Sequence, residues 1–434
     1  MLADGGSAAD AAVGAALASC VAETVMTGLL GGGHAISFDA ASGTVRNLDC
    51  FVAVPSGKGG PMEHLRVPFG AELVDYAVGA SSCGVPGVPL LLDALWRSNG
   101  RLPWRRLVEP ALELARSGVA MPPAHVSCLQ MLAPVMTMRE GAAIYAPGGK
   151  LLEAGEMMQQ PGLVRALELV RDEGAQAVYT GTIGRQLEQL LAERGGAFRP
   201  GDLASYAPLW SEPVSVPFAG RRVVTRAGLS RVPETLQRFD PELGADGLLA
   251  VLDEPVPIEG HTTNITVVDT DGNACVVTTS LGLGSGDWLP GLDLHLNSML
   301  GERDLVREPL RPGARMESMM APTLVFENGS GPLELAIGAA GGTRLRTALV
   351  GVLAGVLAEG LEPQAAIDRS RFHPAGLTVN AEPGVDPGWL DDLEARGRTV
   401  RRWPARHHYF GGVSAVSARG SGADPRRSGA VAQG

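Results

Sequence analysis

The chain reads as an α+β protein in which helices cover the faces of β-sheets. Three observations predict this: an alanine-rich helical stretch from Ser7 to Glu23, a hairpin-like pair of strands around Asp271-Gly272, and an alternation of strand and helix patterns along the 434 residues. Sheets faced by helices are the layered solution for such an alternation.

Size and composition allow a large core. The chain is 45% hydrophobic and 19% charged, an ordinary globular balance that can support one large core or two connected lobes. A formal net charge of −11 argues against nucleic acid or an anionic membrane as the main partner. The five cysteines, Cys20, Cys50, Cys83, Cys128 and Cys275, are widely spaced and include no Cys-x-x-Cys pair, so they read as buried or incidental thiols. His407-His408 has no carboxylate companion at metal spacing, and neither a metal nor a cofactor is assigned. With no basic stretch leading into an apolar core at the start and no apolar run of membrane-spanning length, the chain as written reads as cytoplasmic.

In chain order, Ser7 caps the first helix, whose alanines favour close packing against a sheet. Strands are predicted at His34–Asp39 and Thr44–Asp49, followed by a Gly- and Pro-rich loop over 55–70. A phosphate-cradling role for Gly31-Gly32-Gly33 is disfavoured, because no Lys-Ser/Thr follows. A helix is predicted from Ile183 to Glu193, with leucines at core spacing. The first half of the stretch His261 to Asn273 alternates like a strand, Asp271-Gly272 is a hairpin signal, and a second strand, Ala274 to Ser280, runs back beside it. A glycine turn at Gly341-Gly342 leads into a helix over Leu345–Ala358, and the tail beyond Gly420 reads as disordered from its Ser, Gly and Arg content.

Thr262, at the head of the hairpin, has two readings. It is β-branched strand material; or, if the bond from His261 is cut, its new α-amine, with an unperturbed pKa of about 7.7 to 8.0, becomes the base for its own hydroxyl.

The residues that follow bear on this choice. Thr262-Thr263, Val267-Val268-Asp269 and Asp271-Gly272-Asn273 resemble the start of the small subunit in the γ-glutamyltransferase (glutathione hydrolase) family of N-terminal-nucleophile hydrolases. Gly5 to Val13, Gly84 to Pro89, Val108 to Gly118, Ala177 to Gly181, Gly338 to Arg344, Arg371-Phe372-His373 and Asp424 to Arg427 are similar to family landmarks in the same order. Between about 225 and 258 the chain is shorter than the family pattern.

The resemblance implies a four-layer αββα sandwich, made as one precursor and cut into 1–261 and 262–434, whose two pieces remain together as a heterodimer acting on a small-molecule substrate. It implies Thr262 as nucleophile, Ser280 as a second hydroxyl near its amine, and the Gly341 and Gly342 N–H groups as oxyanion donors, where glycine lets the reacting carbonyl approach closely. Met1-Leu2 falls at the family's interior, so an upstream signal peptide would make the protein secreted or periplasmic. His373 is expected to be structural, since a nucleophile with its own amine needs no imidazole.

At the substrate-binding positions the chain departs from the family. Phe51 stands for an arginine that holds a carboxylate, Gly282 for an asparagine, Met299 for a glutamine, and Glu302 for an aspartate that receives the substrate's ammonium. Ser318 is kept from a serine pair, with Met319 as its altered neighbour. An aromatic ring cannot replace a guanidinium fork. Either another arginine, Arg315 or Arg344, substitutes, or the acyl donor is not glutamyl, as in branches that serve antibiotic pathways through amide or C–C cleavage. A non-catalytic, uncut scaffold is the reading from another class.

Overall fold

The computed structural model describes residues 1–69, 72–253, 262–302, 305–306, 309–327 and 331–433. The chain divides into two compact units, one formed by Met1–Glu212 with Gly260–Ser318, the other by Pro213–Glu259 with Met319–Gln433. In chain order, the strands of the two larger sheets are β1 (Gly32–Asp39), β2 (Thr44–Cys50), β3 (Leu209–Ser211), β4 (Val214–Phe218), β5 (Arg221–Thr225), β6 (Thr263–Val268), β7 (Ala274–Ser280), β8 (Thr323–Glu327), β9 (Leu333–Ala340), β10 (Gly412–Ser417) and β11 (Gly420–Ala423).

The first unit holds the sheet β6-β7-β1-β2-β3. Helices α1 (Ala8–Ala22), α2 (Val88–Asn99) and α3 (Trp104–Ser117) cover one face of it. Ser7 opens α1 through a capping box, its hydroxyl accepting from the Asp10 N–H while the Asp10 carboxylate accepts from the Ser7 N–H. Most of α1 is buried, which its alanines permit by letting α3 approach closely. The sheet's alternation places Ala35, Leu48, Cys50, Cys275 and Val277 on the helix side. The hairpin predicted around Asp271-Gly272 forms, with Gly272 at φ +83°. Asp269 fixes it, accepting from the Ala8 N–H at the start of α1 (3.0 Å) and from the N–H groups of Asp271 and Asn273 (3.0 Å each).

The second unit holds the sheet β11-β10-β9-β8-β5-β4. Helix α4 (Arg344–Leu357) packs on it and is buried along nearly its whole length. Two short helices, Val232–Arg238 and Gly244–Leu252, lie in the stretch expected to be shortened.

Two expectations fail. Within the predicted loop over 55–70, Glu63–Phe69 is a strand paired antiparallel with Glu72–Val78. The Gly and Pro content of its neighbourhood masks the short alternation of Leu65 and Val67. The tail beyond Gly420 is also structured: it supplies β11, and Arg426 is buried against Glu382 (2.5 Å) and Asp424 (3.2 Å). A local composition reading cannot see an ion partner 44 residues upstream.

Candidate active site

Register brings the predicted residues of the first unit into line. Thr263 pairs with Thr279, so the ladder carried one residue further sets Thr262 level with Ser280. Ser280 pairs with Gly32, and Gly33 with Cys50, which sets Gly32 level with Phe51. Thr262, Ser280, Gly32 and Phe51 thus form a row across the strand ends, on the face away from α1 to α3, since directly opposed residues share a face. The middle of the row is kept bare: a Cβ on Gly32 would lie 2.7 Å from the Val52 nitrogen.

Thr262 and Ser280 are both buried. The Ser280 hydroxyl accepts from the Gly282 N–H (2.8 Å). Gly282 has φ +70°, and a Cβ there would stand 2.2 Å from Oε1 of Glu302 and 2.7 Å from Oγ of Ser298. Glu302, buried, follows the 3-10 turn Met299–Gly301, so the structure brings Gly282, Glu302 and Met299 to one place, two residues beyond Ser280. Asn297 anchors that turn. Its amide donates to the carbonyls of Leu30 (2.8 Å) and Gly84 (2.9 Å), and its carbonyl oxygen accepts from the N–H groups of Gly84 (3.0 Å) and Met299 (3.3 Å). Ser318 is buried at the end of the first unit, and Met319 begins the second.

At the far end of the row, the Phe51 ring stacks on His34 (5.5 Å, 15°). Its N–H donates to Asp49 and its carbonyl accepts from the Tyr206 hydroxyl, each at 2.8 Å. The two arginines considered as replacements both have partners of their own. Arg315 lies over the Tyr206 ring (3.9 Å), 3.8 Å from Asp49, and donates to the Ala207 carbonyl. Arg344 donates to the Tyr409 carbonyl (3.1 Å).

Residues outside the sequence reading support the row from beneath. The Thr263 hydroxyl donates to Glu23 (2.7 Å), and the hydroxyls of Thr27 and Thr279 share a hydrogen bond (2.8 Å). On the same face as that row, the next one holds Asn264, Thr278, His34 and Asp49, with the Thr278 hydroxyl donating to Asn264 (2.7 Å). The period-two alternation of the strands was the signal for it.

In the second unit, Gly341 and Gly342 have φ +130° and +59° between β9 and α4. His373 bonds the Thr347 hydroxyl (2.8 Å), and burial, with Arg344 and Arg346 nearby, holds it well below the usual imidazole range. The ring is therefore neutral at ordinary pH. Burial pushes the thiols of Cys20 and Cys275 up to about 12, and those of Cys50 and Cys83 higher still, so these are not thiolates at neutral pH. His261 lies outside the described residues. Among the described residues no cluster of His, Cys, Asp and Glu could hold a metal ion, and no helix is long and apolar enough to cross a membrane.

Comparison with known proteins defines the class first. The structure matches cephalosporin acylase from Bacillus halodurans with a TM-score of 0.83, covering 99% of this chain and 92% of that one at 21% identity. This likeness shows an α+β fold of the N-terminal-nucleophile hydrolase type. The family follows from sequence: the model described as Gamma-glutamyltranspeptidase matches residues 1–237 and 246–434, and the chain belongs to that family. The glutathione hydrolase proenzyme 1 of Schizosaccharomyces pombe is 24% identical over 93% of this chain and 77% of its own length. The Acylase ACY 1 proenzyme of a Pseudomonas species (strain V22) is 25% identical over 95% of this chain and 86% of its own. The family's members are hydrolases and transferases, and the chain is placed among enzymes of that kind.

Proposed function

We propose that the protein is a self-cleaving N-terminal threonine hydrolase or acyltransferase. The observation that carries this reading is the placing of Thr262 at a strand end, buried and level with Ser280, whose hydroxyl is held by the Gly282 N–H. The names of the similar relatives, both proenzymes, support it.

In this mechanism the Thr262 hydroxyl attacks the His261 carbonyl, the acyl group passes from nitrogen to oxygen, and water hydrolyses the ester. The segments 1–261 and 262–434 result. The freed α-amine of Thr262 then takes the proton of its own hydroxyl as the oxygen attacks the donor amide. The family resemblance assigns the oxyanion to the Gly341 and Gly342 N–H groups. The C–N bond breaks, the ammonium returns the proton to the leaving amine, and water or a second amine removes the acyl group from the threonine.

The donor is a γ-glutamyl amide, as in glutathione, or a related acyl amide. One observation favours the second: Phe51 stands where an arginine would hold a carboxylate, and Arg315, considered as its replacement, is engaged by Tyr206 and Ala207. Losing a buried, charge-assisted hydrogen bond costs about 2 to 5 kcal/mol, enough to lower turnover of a free glutamyl head by orders of magnitude. An acyl group without the amino-acid head suits the loss of that arginine, including one from a secondary-metabolite pathway.

Intact-mass spectrometry tests the proposal. The purified protein is expected to give two fragments meeting at His261/Thr262, and Thr262→Ala one uncut, inactive chain. A wild-type chain still whole after prolonged incubation would sink the threonine mechanism and leave the non-catalytic scaffold.

A further inference from the structure

Two motifs singled out in the sequence, Arg371-Phe372-His373 and Asp424-Pro425-Arg426-Arg427, have no part in the chemistry above, yet they meet in the second unit. Arg371 and Asp424 pair at 2.6 Å, Arg426 and Glu382 at 2.5 Å, and Arg426 and Asp424 at 3.2 Å, all buried. These charges surround the turn His408–Phe410 and the residue after it, Gly411.

Four consecutive carbonyls of that turn each accept from an arginine. His408 accepts from Nη2 of Arg427 (3.3 Å), Tyr409 from Nε of Arg344 (3.1 Å), and both Phe410 and Gly411 from Nη1 of Arg371 (3.2 Å each). Asp424 also accepts from the Val413 N–H (3.1 Å), tying the ion pair to the start of β10. The turn lies directly behind the glycine pair. Ala340 pairs with Gly412, so Gly341 falls level with Gly411, and a Cβ on Gly341 would lie 2.8 Å from the Gly411 Cα and 3.2 Å from Nη2 of Arg427. A Cβ on Gly411 would in turn lie 2.9 Å from the Ala340 carbonyl oxygen. Arg344, two residues after Gly342, links the two turns from the other side.

From this arrangement we infer that Arg371 is a positioning residue, which clamps the 408–411 turn so that its backbone fixes the Gly341-Gly342 N–H groups. This rests on the reading of those groups as oxyanion donors. Buried ion pairs are often no more stabilising than apolar packing, so a buried charge network calls for some other return. Here the return is precision. Backbone donors act on a transition state only when held within about 0.5 Å of their place, and a forked guanidinium that spans two carbonyls and a carboxylate can hold a turn that tightly.

The test is Arg371→Lys, whose point charge can still face Asp424 but cannot span the turn. A second variant, Arg427→Met, removes the His408 contact at the rim of the network. Hydrogen exchange is read on the peptide covering 338–345, beside kcat and KM for an acyl p-nitroanilide that the wild type turns over.

Expected for Arg371→Lys are roughly tenfold faster exchange in that peptide and roughly tenfold lower kcat per titrated active site, with KM within about twofold. That is short of the roughly 10²- to 10³-fold fall seen when an oxyanion donor is lost outright. Arg427→Met should shift both in the same direction by less, and it decides the matter if Arg371→Lys does not fold. Folded variants with wild-type exchange at 338–345 would overturn the inference. Exchange bears on the clamp whether or not the wild type is cleaved at Thr262, so failure of the clamp and failure of the functional reading give different results.

Discussion

Gly282 lacks a side chain where the Glu302 carboxylate takes up the space one would need. A Cβ only 2.2 Å from Oε1 cannot coexist with that rotamer, so the two residues are set by each other. Asparagine tolerates the left-handed φ of +70°, which makes Gly282→Asn the informative change. It should push Glu302 aside and lower kcat/KM by about ten- to a hundredfold, mostly through KM, the scale of one displaced polar contact. Adding Glu302→Asp, one methylene shorter, should recover part of the loss. A double-mutant cycle in which the two changes simply add would refute the coupling. The sequence shows Gly282 as a departure and Glu302 as another, twenty residues apart, but their collision exists only once Leu281 and Ser298 are hydrogen-bonded neighbours. The same holds for Phe51, whose place in the row depends on a strand pairing between β1 and β7 that no local pattern encodes.

At the scale of elements, local signals were legible where an element carries its own instructions. Ser7 with Asp10 caps α1, and Asp271-Gly272 turns the hairpin. They failed in the tail, where β11 turns back on β10 and the buried Arg426 behind it meets Glu382, 44 residues upstream. The small hairpin of Trp288–Leu289 with Leu294–His295 shows a further consequence of burial. His295 stacks on Trp288 (4.1 Å, 9°), and its Nε2 accepts from the Gly286 N–H (3.0 Å), an arrangement for the neutral ring. Burial lowers its pKa to about 3. The unfolded chain takes up this proton near pH 6.5 and the folded one does not until about pH 3, so stability is full above pH 6.5 and falls as pH drops through that window. At pH 5 the cost is about 2 kcal/mol from this residue. Denaturant unfolding at pH 7 and pH 5 measures it, and His295→Gln should flatten the difference by that amount. An unchanged slope would show that the ring is charged when folded.

For the molecule as a whole, the proposed cut does not follow either compact unit. In the first sheet β6 and β7 lie after Thr262 while β1, β2 and β3 lie before it; in the second, β4 and β5 lie before it and β8 to β11 after. Each sheet is therefore stitched from both segments by backbone ladders, β7 to β1 in one and β8 to β5 in the other. The cleaved protein should elute as one species under native conditions and separate only in denaturant, as size-exclusion chromatography with mass detection would show. Dissociation of the fragments in plain buffer would contradict this.

The pairing of β1 with β7 also has a meaning for the order in which the protein is made. β1 leaves the ribosome long before β7, one of its two partner strands, and β9 well before β10. Until β7 and β8 have been made, β1 with β2 and β4 with β5 can pair only as hairpins, so neither sheet is complete. On the proposed mechanism, a nucleophile that becomes competent only when its sheet closes stays silent until β6 and β7 have been made, and strand order sets the timing of its activation.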